Sequence, residues 1–151
     1  MSVKSVLVQV KTLLETKTEF KQRVSVWDYS ILDLAIPHAL VLRPGSVTQA
    51  MEAYGNQWLR QVSVIIEAYA FYEPATSTNS INRLLDVIDL IDTLLIENYH
   101  LGLTVDTVRS AQISGIGVAD IISRDTSGNK WFHVTITLAV TEPEVGSGSA
   151  Q

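Results

Sequence analysis

The sequence predicts an α+β domain, a mostly antiparallel sheet with two long helices packed on one face. Three observations carry this. Apolar residues recur at helical spacing from Ser2 to about Gln22 and again from Ile81 to Tyr99. Trp58 to Glu73 alternates at a spacing of two over a length unusual for a strand. The C-terminal third reads as strands and turns. The order is helix, strand, strand, helix, then three strands, which is the pattern of an α+β domain. A chain of 151 residues fits one core, and no internal repeat is present.

The first helix places Val3, Val6, Leu7, Val10, Leu13 and Leu14 on one face, with Lys4, Gln9, Lys11 and Glu15 elsewhere. Val24 to Pro37 is a connector anchored by Trp27, Tyr29, Ile31, Leu32, Leu34 and Ile36. Pro37 disfavours helix through Ile36. Ala39 to Leu42 reads as a short buried strand closed by a turn at Arg43-Pro44-Gly45. Ser46 to Gln57 reads as a polar loop. In the long strand, Val62, Val64, Ile66, Ala68, Ala70 and Tyr72 form the core face. Gln61, Ser63, Ile65, Glu67, Tyr69, Phe71 and Glu73 form the other. Large apolar groups on that second face need a partner to cover them.

Asn79 or Ser80 is the expected cap of the second helix. Ile81, Leu84, Leu85, Ile88, Ile91 and Leu95 make one apolar stripe, and Val87, Leu90 and Leu94 a second. Asn82, Asp86, Asp89, Thr93 and Glu97 make a single polar seam, so the helix is expected to be covered on more than one side. Gly102 sits where a left-handed cap falls. Val105 to Ser114, Val118 to Arg124 and Trp131 to Val140 are the C-terminal strands, with a hairpin loop at Asp125 to Asn129. The domain is expected to span residues 1–143, with 144–151 a flexible Gly/Ser-rich tail.

Composition excludes several functions. Net charge is −5 with no basic run, which disfavours gripping nucleic acid or an anionic membrane. The chain has no cysteine, so disulfides and thiolate metal sites are ruled out. Asp86, Asp89 and Asp92 interrupt the most apolar segment, so it is no membrane span. His38, His100 and His133 fall in three different elements without ligand spacing, and read as a turn, a helix-end and an exposed strand histidine. The carboxylates of the second helix read as a solvated seam. Ser114-Gly115-Ile116-Gly117 reads as a bulge or turn between strands, not as a phosphate loop. No catalytic, metal or cofactor site is expected.

The stretch Ile36-Pro37-His38-Ala39-Leu40-Val41-Leu42-Arg43-Pro44-Gly45-Ser46 lies between an amphipathic N-terminal helix and a polar segment, with a long strand, a helix and C-terminal strands beyond. In this order the chain, from Ser2 to Pro143, resembles the tail terminator (tail completion) proteins of long-tailed bacteriophages. The resemblance implies a structural virion protein, not an enzyme. It implies a homohexameric ring at the head-proximal end of the tail, assembled in the host cytoplasm. Such a ring caps the tail tube, ends its polymerisation and offers a surface to the head-completion or connector protein. Genomic DNA passes through the lumen without specific binding. The expected subunit or tube interface is Trp58, Gln61, Ser63, Ile65, Glu67, Tyr69 and Phe71. The expected docking loop holds Arg43, Ser46, Gln49, Glu52 and Tyr54. On this reading, replacing Tyr69 and Phe71 by Ser weakens assembly and leaves the monomer folded. The alternatives are another head–tail connector or neck protein, a small-molecule-binding α+β domain with a site between helix and sheet, and a host-side regulatory domain.

Overall fold

The computed structural model describes residues 2–34, 36–51, 58–73, 77–104, 107–122 and 129–143. Its elements are α1 (Val3–Leu14), β1 (Val24–Val26), β2 (His38–Met51), β3 (Trp58–Phe71), α2 (Ser77–Glu97), β4 (Ser110–Ile116), β5 (Asp120–Ile122) and β6 (Trp131–Pro143). Two 3₁₀ turns, Thr18–Phe20 and Tyr29–Asp33, flank β1. The sheet runs β1-β2-β3-β6-β4, and β5 also pairs with β6. Among the described residues the β1–β2 pair is the parallel one, and the other pairs are antiparallel. The proposed tail, 144–151, lies outside the described residues.

Both helices cover one face of the sheet. Val6, Val10 and Leu14 of α1 and Leu84, Val87, Ile91 and Leu94 of α2 share a core with Leu40, Val64, Ile66, Ile136 and Leu138. The alternation expected for β3 holds: Val62, Val64, Ile66, Ala68 and Ala70 are fully buried on this face. Ser2 caps α1, its Oγ accepting from the Ser5 N–H at 3.0 Å.

The helix α1 stops at Leu14, short of Gln22. The Thr16 hydroxyl donates to the Leu13 carbonyl at 2.6 Å, and Lys17 turns extended. Phe20, in the 3₁₀ turn, is fully buried in the core. Behind it, His38 is held between Arg23, which donates to Nδ1 at 3.2 Å, and the Glu19 carbonyl, which accepts from Nε2 at 2.7 Å. Burial first, and the neighbouring Arg23 charge, hold its pKa below the ordinary value; the Glu19 carbonyl works the other way. A folded-state pKa depressed in this way favours the neutral ring. Its contribution to stability is present above the unfolded-state value of about 6.5 and is lost as pH falls through the folded one. An NMR titration of His38 against urea midpoints over that window checks this.

The main correction concerns β2. Arg43-Pro44-Gly45 does not close the strand; β2 runs on for 14 residues to Met51 and pairs with β3 as one long hairpin. Pro44 lacks an N–H, yet β1 reaches only as far as Leu42, so the outer edge at Pro44 needs no donor. A bulge between Pro44 and Val47 sets both Gly45 and Ser46 opposite Ser63. A Cβ on Gly45 would lie 2.8 Å from the Ser63 Cβ, next to backbone that cannot move aside. Gly45→Ala is therefore expected to cost about 1–3 kcal/mol, read as a lower urea midpoint at unchanged slope.

Smaller corrections follow. The helix α2 begins at Ser77, and Ser80 is buried inside it, its hydroxyl accepting from the Glu73 N–H at 3.3 Å. Leu101 and Gly102 both take positive φ where the helix ends, at 56° and 73°. The strand expected over Val105 to Ser114 is β4, shifted to Ser110–Ile116. The strand expected over Val118 to Arg124 is described only as Asp120–Ile122. Of the hairpin loop Asp125 to Asn129, only Asn129 is among the described residues. End to end, β4 and β5 follow the same edge of β6. Their register slips once between Ile113 and Gly115.

Candidate functional site

Away from the helices, the sheet has a second face, and its two halves differ. Along β3 it carries Gln61, Ser63, Ile65, Glu67, Tyr69 and Phe71. Across β6 these pair with Thr141, Ala139, Thr137, Thr135, His133 and Trp131.

One half is covered from within the chain. The turn Tyr29–Asp33 folds over it, and Ile31 and Leu32 pack with Ala39, Val41, Tyr69 and Trp131 as a second small core. Tyr69 is fully buried, its ring 4.8 Å from His133 and 6.4 Å from Trp131. Tyr69 and Glu67 are thus interior residues, which corrects the expectation that they wait for a neighbour. Phe71 stays half-buried, edge-on to Trp131 at 5.3 Å.

Glu67 is the centre of a polar cluster that the sequence reading missed. The residue is only 2% exposed. Oε2 accepts from the Tyr29 hydroxyl, and Oε1 accepts from the Tyr69 hydroxyl at 3.2 Å. His133 Nε2 lies 3.2 Å from Oε1, and Arg43 Nε 3.5 Å from Oε2. The other ring nitrogen of His133 faces Asp120 Oδ1 at 3.1 Å. His133 is therefore not the exposed strand histidine that alternation suggested. Five segments meet here: the 3₁₀ turn, β2, β3, β5 and β6. Every buried side-chain nitrogen and oxygen among the described residues has a partner. The chemistry of the cluster is that of a clasp that fixes the turn to the sheet.

The other half of the second face is open. Thr48, Gln61 and Gln112 are exposed there, and Ser63, Ile65, Thr137 and Thr141 are half-buried. Hydroxyls and amides dominate, and among the described residues no strand residue of this face beyond the Arg43 row is charged. On the helix face of the same end, Arg60 Nε donates to the buried Glu142 at 2.6 Å, fixing β3 to β6.

Among the residues expected to form a docking loop, Arg43, Ser46 and Gln49 are strand residues of β2, and Glu52 and Tyr54 lie outside the described residues. The backbone of Trp58 begins β3; its side chain is outside the description too. A cavity of about 430 Å³ sits between the connector and the end of the second face, lined by Leu32, Leu34, Ile36, Pro37, Phe71 and Trp131, with Asp33, Glu73 and Asn129. It is not the helix–sheet site that a small-molecule domain was expected to have.

Both edges of the sheet are open over part of their length among the described residues, although the Ala111 N–H of β4 donates to the Tyr99 carbonyl at 2.6 Å. Among the described residues, no strand pairs with the outer edge of β2 from Arg43 onward, and none with the outer edges of β4 and β5. Open edges are available for pairing with another chain.

No protein-family model matches the sequence, and no curated protein matches it. Among solved structures the chain is similar to one described as "Virion of native gene transfer agent (GTA) particle". The TM-score is 0.50 at 12% identity, over 91% of this chain and 96% of that one. The likeness is one of fold and spans the whole domain on both sides.

Proposed function

We propose that this chain is a structural protein of a virion. In the finer reading it is a ring subunit that caps a phage tail tube, stops its growth and presents a joining surface to the head connector. The observation that carries this is the fold shared nearly end to end with a chain of a virion particle. The match covers 91% of this chain and 96% of that one, and the second face and the open edges are surfaces at hand for assembly.

Strand sense is compatible with ring closure. By pairing, β1, β2 and β6 run one way and β3 and β4 the other. A rotation about an axis along the strands brings β4 of one copy beside β2 of the next in antiparallel sense. Such a heterologous contact closes when the rotation divides a full turn. In that arrangement the helices stand outside and the open half of the second face lines the lumen. Thr48, Gln61, Ser63, Thr137 and Thr141 offer DNA phosphates hydroxyls and amides without a cation, so passage without retention is expected.

The test is to add the purified chain to a polymerising tail-tube protein. Arrested elongation with one end capped is the expected outcome. Unchanged tube growth, with the chain left in the supernatant, favours a neck protein docking on the portal side; binding to filled heads then decides for that reading.

A further inference from the structure

Resting on the ring reading, we propose that Trp27 of one copy docks in the groove between α2 and β4 of the next. Trp27 follows directly on β1, at one edge of the sheet. It is 57% exposed, its N–H donates to the Leu42 carbonyl, and its φ is +48°. A non-glycine residue held left-handed to display an indole to solvent is strain that a partner contact accounts for. Tryptophan is also enriched among the anchor residues of protein interfaces.

The receiving groove lies at the opposite edge. It has a volume of about 320 Å³ and is lined by Asp92, Leu95, Ile96 and Tyr99 of α2 and its following turn, and by Ser110 to Ile113 of β4. It continues an apolar stripe on the outer flank of α2, where Ile81, Leu85, Ile96 and Tyr99 are 43%, 51%, 70% and 53% exposed. This is the covering partner that the second helix lacks within its own chain.

Height and charge agree on a second copy as the occupant. The row Val26–Leu42–Ile66–Ile136–Ile116 crosses the sheet, so Trp27 stands level with the Gly115 end of β4, adjacent to the groove. Asp92 lines the groove, with Asp89 one turn before it on the same exposed side. The matching flank of α1, beside β1, carries exposed Lys4 and half-exposed Lys11, the latter 3.8 Å from Glu15 of the next turn. Acid on one side and base on the other favour head-to-tail contact over two like edges.

The test uses two exposed-residue variants, Trp27→Ala and Ile96→Arg, with circular dichroism confirming the fold of each. Native mass spectrometry reads assembly, alone and with tail-tube protein. Each variant alone is expected to associate roughly tenfold or more weakly than the unsubstituted chain. Mixed in equal amounts they are expected to form heterodimers that grow no further, since each keeps one intact side. If the unsubstituted chain forms rings and either variant does so equally well, the Trp27 docking is overturned and the ring reading stands. If the unsubstituted chain assembles under neither condition, the ring reading falls, and this proposal with it.

Discussion

Glu67→Leu is expected to destabilise the chain by about 3–5 kcal/mol, the loss typical of breaking one side of a buried charge pair. The leucine fills the space but accepts no hydrogen bond. The hydroxyls of Tyr29 and Tyr69 lose the Glu67 carboxylate as acceptor, and His133 loses its Nε2 partner while keeping Asp120. Arg43 is 32% exposed on its side chain and can turn to water, which places the effect toward the lower end. For a chain of this size the thermal midpoint should fall by roughly 6–20 °C. Glu67→Gln keeps one acceptor oxygen and should lose less. Calorimetry on both variants checks this; a Leu variant within 1 kcal/mol of the parent means that the turn is held by Ile31 and Leu32 alone.

Tyr69→Ser and Ile65→Ser should separate core from surface on a single strand face. Tyr69 is fully buried against Trp131 and His133, so its truncation should cost about 3–5 kcal/mol and populate unfolded chain. Half-exposed Ile65 lies in the open half, and its replacement should stay within about 1 kcal/mol. Urea unfolding ranks the two. An equal, small effect from both contradicts the placement of the Tyr29–Asp33 turn over Tyr69.

The helices and the face assignment of β3 were legible because amphipathic spacing reports burial directly. The core positions from Val62 to Ala70 and the alternation of β6 could be read residue by residue. What could not be read was long-range. Pro44 and Gly45 carry a turn signature, and only the shortness of β1 and the close approach of Ser63 let β2 run through them. The aromatic and acidic residues of the second face read as surface, because the segment that covers them, Tyr29–Asp33, is distant in sequence and has no periodicity. Cross-strand pairing of Tyr69 with His133 was the one available signal for the Glu67 cluster, and it required the β3–β6 register. The exposed stripe on α2 was visible as an excess of apolar residues, but its uncovered flank was defined only once β4 had been placed beside it.

Electron microscopy of the purified chain, alone and mixed with tail-tube protein, tests the central claim most directly. The account predicts rings with a central hole, free or seated at one end of each tube, with the helices on the outside and the hydroxyl-lined half of the sheet around the hole. Monomers under both conditions, beside tubes of unrestricted length, contradict it.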